Sequence, residues 1–158
     1  MAGYAETPRV AIQVSRGVVV ASIQTDLDEA VLAQFREDLL DRVHETGSRG
    51  VILDVSGLET LDSDEFAALR RISQMVTIMG TESVLVGLRP GVVSSLIELN
   101  ADVEGLQTAI DLDAAFELLE PESEPEPEPD GEAIPAEADA AEDSQPLESE
   151  RNFENDQR

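Results

Sequence analysis

Along the first 120 residues the apolar positions alternate between short unbroken runs and stretches with a period near 3.6, the two signatures of strand and helix. Residues 10–14 (Val-Ala-Ile-Gln-Val) and 18–23 (Val-Val-Val-Ala-Ser-Ile) are β-rich runs, and Ser15-Arg-Gly17 between them has the composition of a hairpin turn. An antiparallel opening pair is expected. Asp26-Leu-Asp-Glu29 then carries the Asp-x-x-Glu spacing of a helix start, with Val31, Leu32, Phe35, Leu39, Leu40 and Val43 at helical spacing up to Gly47. Residues 51–55 (Val-Ile-Leu-Asp-Val) are too short for a helix and suit a buried central strand.

The capping-box spacing recurs at Asp62-Ser-Asp-Glu65, ahead of Phe66, Leu69, Ile72, Val76 and Met79, and Gly80 marks the stop. Residues 83–86 return as a strand, Pro90 suits the first turn of a helix over 91–99, and Asn100 is placed to cap its end. A short strand is expected over 106–110 and a final amphipathic helix over 112–119, ended by Pro121. The order is β-β-α-β-α-β-α-β-α. Strands joined by single helices require right-handed crossovers, so the pattern predicts a small α/β domain: a mixed β-sheet with an antiparallel edge, four helices and one two-layer core.

Composition divides the chain at residue 121. Six of the eight prolines fall from Pro121 onward, and residues 121–158 carry 14 acidic side chains against Arg151 and Arg158, with only Ile134, Leu147 and Phe153 as sizeable hydrophobes. Such a segment buries too little apolar surface to offset its chain entropy, and the Glu-Pro alternation favours an extended chain. The expected organisation is a folded domain over 1–120 and a disordered acidic Glu/Pro-rich tail over 121–158. The whole chain carries a net charge of −25, with all ten basic residues Arg. The folded part alone has 21 acidic and 8 basic residues, so nucleic acid is excluded as a partner and a basic or apolar partner face is expected.

With no Cys and one His (His44), the chain lacks a thiol nucleophile, a disulfide framework and the ligands of a Cys/His zinc site. It has no Lys for a Walker motif, no Gly-x-Gly-x-x-Gly, and no apolar run long enough to span a bilayer. The expectations are therefore no enzyme activity, no cofactor, no metal and no membrane, in an untargeted soluble protein. The acidic cluster Glu59, Asp62, Asp64 and Glu65 has two readings, a weak site for a hard cation and ordinary helix-start residues. Ser63 stands out because it follows the buried strand, where open α/β sheets place their functional loops. Its local pattern also has two readings: a hydroxyl that satisfies a free helix-start donor, or a regulatory phosphoacceptor.

Residues 51–63 (Val-Ile-Leu-Asp-Val-Ser-Gly-Leu-Glu-Thr-Leu-Asp-Ser) with the helix after them resemble the STAS domains of bacterial anti-sigma-factor antagonists. Met79-Gly80, residues 84–92 (Val-Leu-Val-Gly-Leu-Arg-Pro-Gly-Val) and residues 96–100 (Leu-Ile-Glu-Leu-Asn) extend the likeness over about 9–119. Within that family the chain looks most like the small STAS-only stressosome subunits of the RsbS group, since the roughly eight residues before the first strand leave no room for a sensory domain. The resemblance implies a cytoplasmic, noncatalytic scaffold that sequesters a switch serine/threonine kinase of the RsbT type. It also implies homo- or hetero-oligomers with sensor-bearing RsbR-like STAS paralogues, and release of the kinase when Ser63 is phosphorylated.

By that reading Glu59, Asp62, Asp64 and Glu65 form the partner-binding face around Ser63. Asp64 and Glu65 depart from the family, whose members often carry Ser-Phe or Ser-Ser-Gly there. A stand-alone anti-sigma-factor antagonist that binds an anti-sigma kinase is the alternative, and a STAS subunit of a transport complex is a third. A phosphate on Ser63 adds about −1.5 to −2 charges beside these four carboxylates while the helix start partly stabilises it, so the switch is expected to act on binding and not on folding.

The tail composition generates the first prediction. Truncation after Glu120 is expected to shift the melting temperature by no more than a degree or two in scanning calorimetry, and a loss of several degrees would show that the tail contributes to the fold.

Overall fold

Strands that are apolar on both faces need cover on both sides of the sheet, and three of the runs in this chain are of that kind. The computed structural model describes residues 8–121, and the predicted acidic tail lies outside the described residues apart from Pro121. The strands are β1 (Ala11–Ser15), β2 (Val18–Ser22), β3 (Gly50–Asp54), β4 (Glu82–Val86) and β5 (Thr108–Ala109). The helices are α1 (Glu29–Thr46), α2 (Ser63–Ile78), α3 (Pro90–Glu98) and α4 (Leu112–Leu118). One five-stranded sheet runs in the order β1-β2-β3-β4-β5, with β1 antiparallel to β2 and every later pair parallel.

Sequential parallel strands joined by right-handed crossovers place every crossover helix on the same face of the sheet. Accordingly Val31, Phe35, Leu39 and Val43 of α1, Phe66, Leu69, Ile72 and Val76 of α2, and Val92 and Leu96 of α3 share one core with Val19, Ala21, Val51, Leu53 and Leu85. The alternate residues Val18, Val20, Ile52, Val84 and Val86 point to the other face, which no crossover can reach. There α4 folds back and buries Ala115, Phe116 and Leu119. The core is thus divided by the sheet into two clusters, one on each face, where the sequence predicted a single two-layer core. The reason is topological: an amphipathic helix after the last strand is free to cross to the uncovered side.

Two contacts hold α4 there. Arg16 lies over the Phe116 ring with its guanidinium carbon 4.8 Å from the centroid, and Arg49 Nε donates to the Leu119 carbonyl at 3.0 Å. Gly50 admits Leu119, because a Cβ there would come within 2.7 Å of both its methyl groups.

Three local expectations shift. The cap of α1 is Asp28 and not Asp26: its Oδ1 accepts the Val31 N–H at 2.9 Å while Leu27 is buried in the core. Leu27 and Leu32 occupy the two positions of a hydrophobic staple around that cap. The last strand shrinks to two residues, because only Thr108 and Ala109 pair with β4 while Ile110 is exposed. α3 begins on Pro90 itself, and Asn100 follows its end with φ 54, the left-handed backbone that favours Asn or Gly.

Gly87, just past β4, has φ +84, and a Cβ on it would meet the backbone nitrogen of Ser56 at 2.7 Å. Gly87→Ala is expected to cost about 2 kcal/mol or more in urea unfolding, since neither the dihedral nor the neighbouring backbone can yield. An unchanged midpoint would mean that the two loops are not held together as described.

Candidate functional site

β3 ends at Asp54, where the chain leaves the core through the loop 55–62 at the carboxyl edge of the parallel strands. Hydrogen bonds continue past the strand end on both sides: Ile23 N–H donates to the Asp54 carbonyl at 2.9 Å and Val55 N–H to the Val86 carbonyl at 3.0 Å. Asp54 Oδ1 accepts the Ser56 N–H at 2.9 Å, which turns the chain, and Leu58 N–H closes onto the Val55 carbonyl at 3.0 Å. Buried Leu58 and Leu61 anchor the loop from below. Gly57 lies against Gln24 and Gly87 against Ser56, while an Arg89 Nη donates to the Ser56 carbonyl at 3.0 Å. Three adjacent loops therefore fix where α2 begins.

The first turn of α2 closes a capping box. Asp62 has extended backbone, and its Oδ1 accepts the N–H groups of Asp64 and Glu65, each at 2.8 Å. Glu65 Oε2 in return accepts the Asp62 N–H at 2.9 Å. Ser63 is the first residue of the helix and half-buried, and among the described residues its hydroxyl makes no hydrogen bond. Of the two local readings of Ser63, the role of accepting the free helix-start N–H groups therefore falls to Asp62. The serine Oγ is left available to chemistry or to a partner.

The predicted partner-binding carboxylates divide between the first turn of α2 and the loop before it. Asp62, Asp64 and Glu65 line a groove of about 830 Å³ between α1 and α2, whereas Glu59 stands exposed in the loop outside that lining. The groove also takes Asp26, Asp28 and Glu29, three carboxylates that the sequence reading did not assign to the site. Their signal was present in the predicted topology, since parallel crossover helices lie side by side with their amino termini at the same end. Two of the carboxylates first considered for a cation, Asp62 and Glu65, are engaged in the cap, and no group of three or more His, Cys, Asp or Glu side chains fit to hold a metal is found among the described residues.

The other flank of α2 faces α3. Arg70 bridges to Asp102 at 2.7 Å and donates to the Glu104 carbonyl at 2.9 and 3.2 Å, tying the helix to the loop before β5. Beyond it a smaller apolar hollow is lined by Phe66, Leu88, Val93, Leu96, Ile97 and Val103 among others. His44 sits in the last turn of α1, at the opposite end of that helix from the site. No helix among the described residues is long and apolar enough to cross a membrane.

Comparison with known proteins agrees with this geometry. A serine-to-glutamate variant of RsbS from Moorella thermoacetica superposes with a TM-score of 0.61 at 31% identity, covering 70% of this chain and 93% of that one. A chain from the molecular architecture of the stressosome, described there as a signal integration and transduction hub, gives 0.61 at 30% identity over 69% and 95% of the two chains. By sequence, the RsbT co-antagonist protein RsbRA of Bacillus subtilis is 23% identical over 111 residues, and the chain spans 40% of its length. The STAS domain profile matches residues 9–107, and the chain therefore belongs to the STAS domain family, with RsbS among its structural relatives.

Proposed function

We propose that this protein is a noncatalytic, cytoplasmic scaffold of the stressosome type, which holds a switch serine/threonine kinase of the RsbT kind and releases it when Ser63 is phosphorylated. The observation that carries the reading is the unengaged Ser63 hydroxyl at the start of α2, whose expected capping duty is performed by Asp62. A serine in that position can exchange its proton for a phosphoryl group without loss of a structural hydrogen bond. The relatives support the setting: RsbS and the stressosome chain lie at 30% identity or above and are covered nearly end to end, and the RsbRA name describes a co-antagonist of RsbT. Assembly with RsbR-like STAS paralogues belongs to the same proposal.

Electrostatics supplies the release. The unmodified site presents a neutral hydroxyl among Asp62, Asp64 and Glu65, with Glu59 nearby in sequence. A phosphoserine adds nearly two negative charges there and removes the hydroxyl donor, so a partner that hydrogen-bonds the serine loses that bond and meets a denser anionic surface. The helix itself tolerates the change, because an anion at its amino terminus is favoured by the backbone dipole and the cap lies on a neighbouring residue.

Two substitutions test this against a purely structural role. Ser63→Ala is expected to cost less than about 0.5 kcal/mol in urea unfolding, Asp62→Ala about 1 kcal/mol, and Ser63→Ala to keep full affinity for an RsbT-type kinase by titration calorimetry. Ser63→Asp is expected to weaken that affinity several-fold or more, with unchanged circular dichroism. Wild-type affinity in both Ser63 variants, with no phosphate on Ser63 after incubation with kinase and ATP, would overturn the proposal. Binding to an anti-sigma kinase as a small oligomer, with no larger assembly in the presence of a sensor paralogue, would favour the stand-alone antagonist instead.

A further inference from the structure

The buried face of α2, carrying Phe66, Leu69, Ile72 and Val76, separates two solvent flanks of the helix. Ser63, Ala67, Arg70 and Gln74 follow one another at helical spacing on the flank that Arg70 ties to the α3–β5 loop. Asp64, Glu65, Ala68, Arg71 and Met75 fall on the other, beside α1. None of the first four lines the groove between the helices. The serine and the groove are therefore on different sides of the same helix.

The groove has the form of a seat for a third helix. Leu27, Leu32, Ala33, Ala68, Ile72 and Met75 supply an apolar floor between two parallel helices. From Asp62 to Met75 it extends about 20 Å along α2 at 1.5 Å per residue, the length of a helix of about 13 residues. Its charges are segregated. Asp26, Asp28, Glu29, Asp62, Asp64 and Glu65 occupy the end at the helix amino termini, while Arg36 and Arg71 stand about two turns along. A second copy of this domain is a poor occupant, since it would bring six more carboxylates against only two arginines in a domain already strongly negative.

We propose that the α1–α2 groove docks a cationic amphipathic helix of a protein partner, with lysines or arginines over the joint amino-terminal end and an acidic residue about two turns away facing Arg36 and Arg71. Apolar residues at helical spacing would fill the floor. The site shares Asp62, Asp64 and Glu65 with the surroundings of Ser63, but Ser63 is not in its lining, and added negative charge beside a cationic helix does not expel it, so a partner seated there stays bound when that serine is modified. A surface that holds a partner constitutively and one that releases it on modification would then sit on opposite flanks of one helix.

The test uses the full chain and a defined probe, a synthetic peptide of about 13 residues with leucines at helical spacing, lysines in one terminal turn and a glutamate two turns away. Nitrogen–proton correlation spectra of the wild-type protein are expected to show shifts confined to α1, α2 and the residues before them. Affinity by fluorescence anisotropy should exceed that of a scrambled peptide of the same composition at least tenfold. Ala68→Trp, which fills the floor, is expected to weaken binding tenfold or more, and Glu29→Lys with Asp64→Lys likewise, whereas Ser63→Asp, which adds negative charge near the acidic end, does not weaken it. Equal binding of the scrambled peptide, shifts centred on α3, or a loss with Ser63→Asp matching that of Ala68→Trp would each overturn the proposal.

Discussion

The fold depends on β3 being paired in parallel on both edges. Val51, Ile52 and Leu53 are all fully or almost fully buried, and their strand is bonded in register to β2 on one side and β4 on the other. A parallel strand cannot be reached by a tight turn, so each pairing demands a crossover, and the fixed hand of crossovers places α1 and α2 together on one face. It also brings the carboxyl ends of β2, β3 and β4 to one edge, where three loops interlock through Gly57, Gly87 and Arg89. The start of α2 inherits its position from that chain of constraints.

At that start the division of labour between two adjacent residues decides what the site can do. Asp62 and Glu65 satisfy the helix start between them, so the serine that follows is held by the backbone and not by its own hydroxyl. A side chain positioned by its neighbours and free of structural duty can be chemically modified while the domain stays folded. The same turn contributes carboxylates to the α1–α2 groove on its other side, so that α2 borders two surfaces with one set of backbone constraints.

Much of this was legible in the sequence because the determinants are local. Unbroken apolar runs marked the buried strands, the Asp62-Ser-Asp-Glu65 spacing marked the capping box, and Gly47 and Gly80 marked helix ends that the structure places at positive φ. What was not legible depends on tertiary arrangement. The Asp-x-x-Glu spacing at Asp26 matched the capping-box pattern, but burial of Leu27 moves the cap to Asp28. The side of the sheet taken by α4 depends on which face the crossovers leave bare, and the length of β5 on how much of it reaches β4. The groove escaped for a related reason, since its acidic rim is assembled from residues more than thirty positions apart.

The central claim is that a phosphate on Ser63 changes what the domain binds and leaves its fold intact. Amide hydrogen exchange on the chain carrying authentic phosphoserine at position 63, compared with the unmodified chain and paired with kinase binding on the same two samples, tests it most directly. The account predicts the same protection in β2, β3, β4 and the body of α2 in both forms, with kinase binding lost only in the phosphorylated one. Loss of protection along α2 on phosphorylation, or equal kinase binding by the two forms, would contradict it.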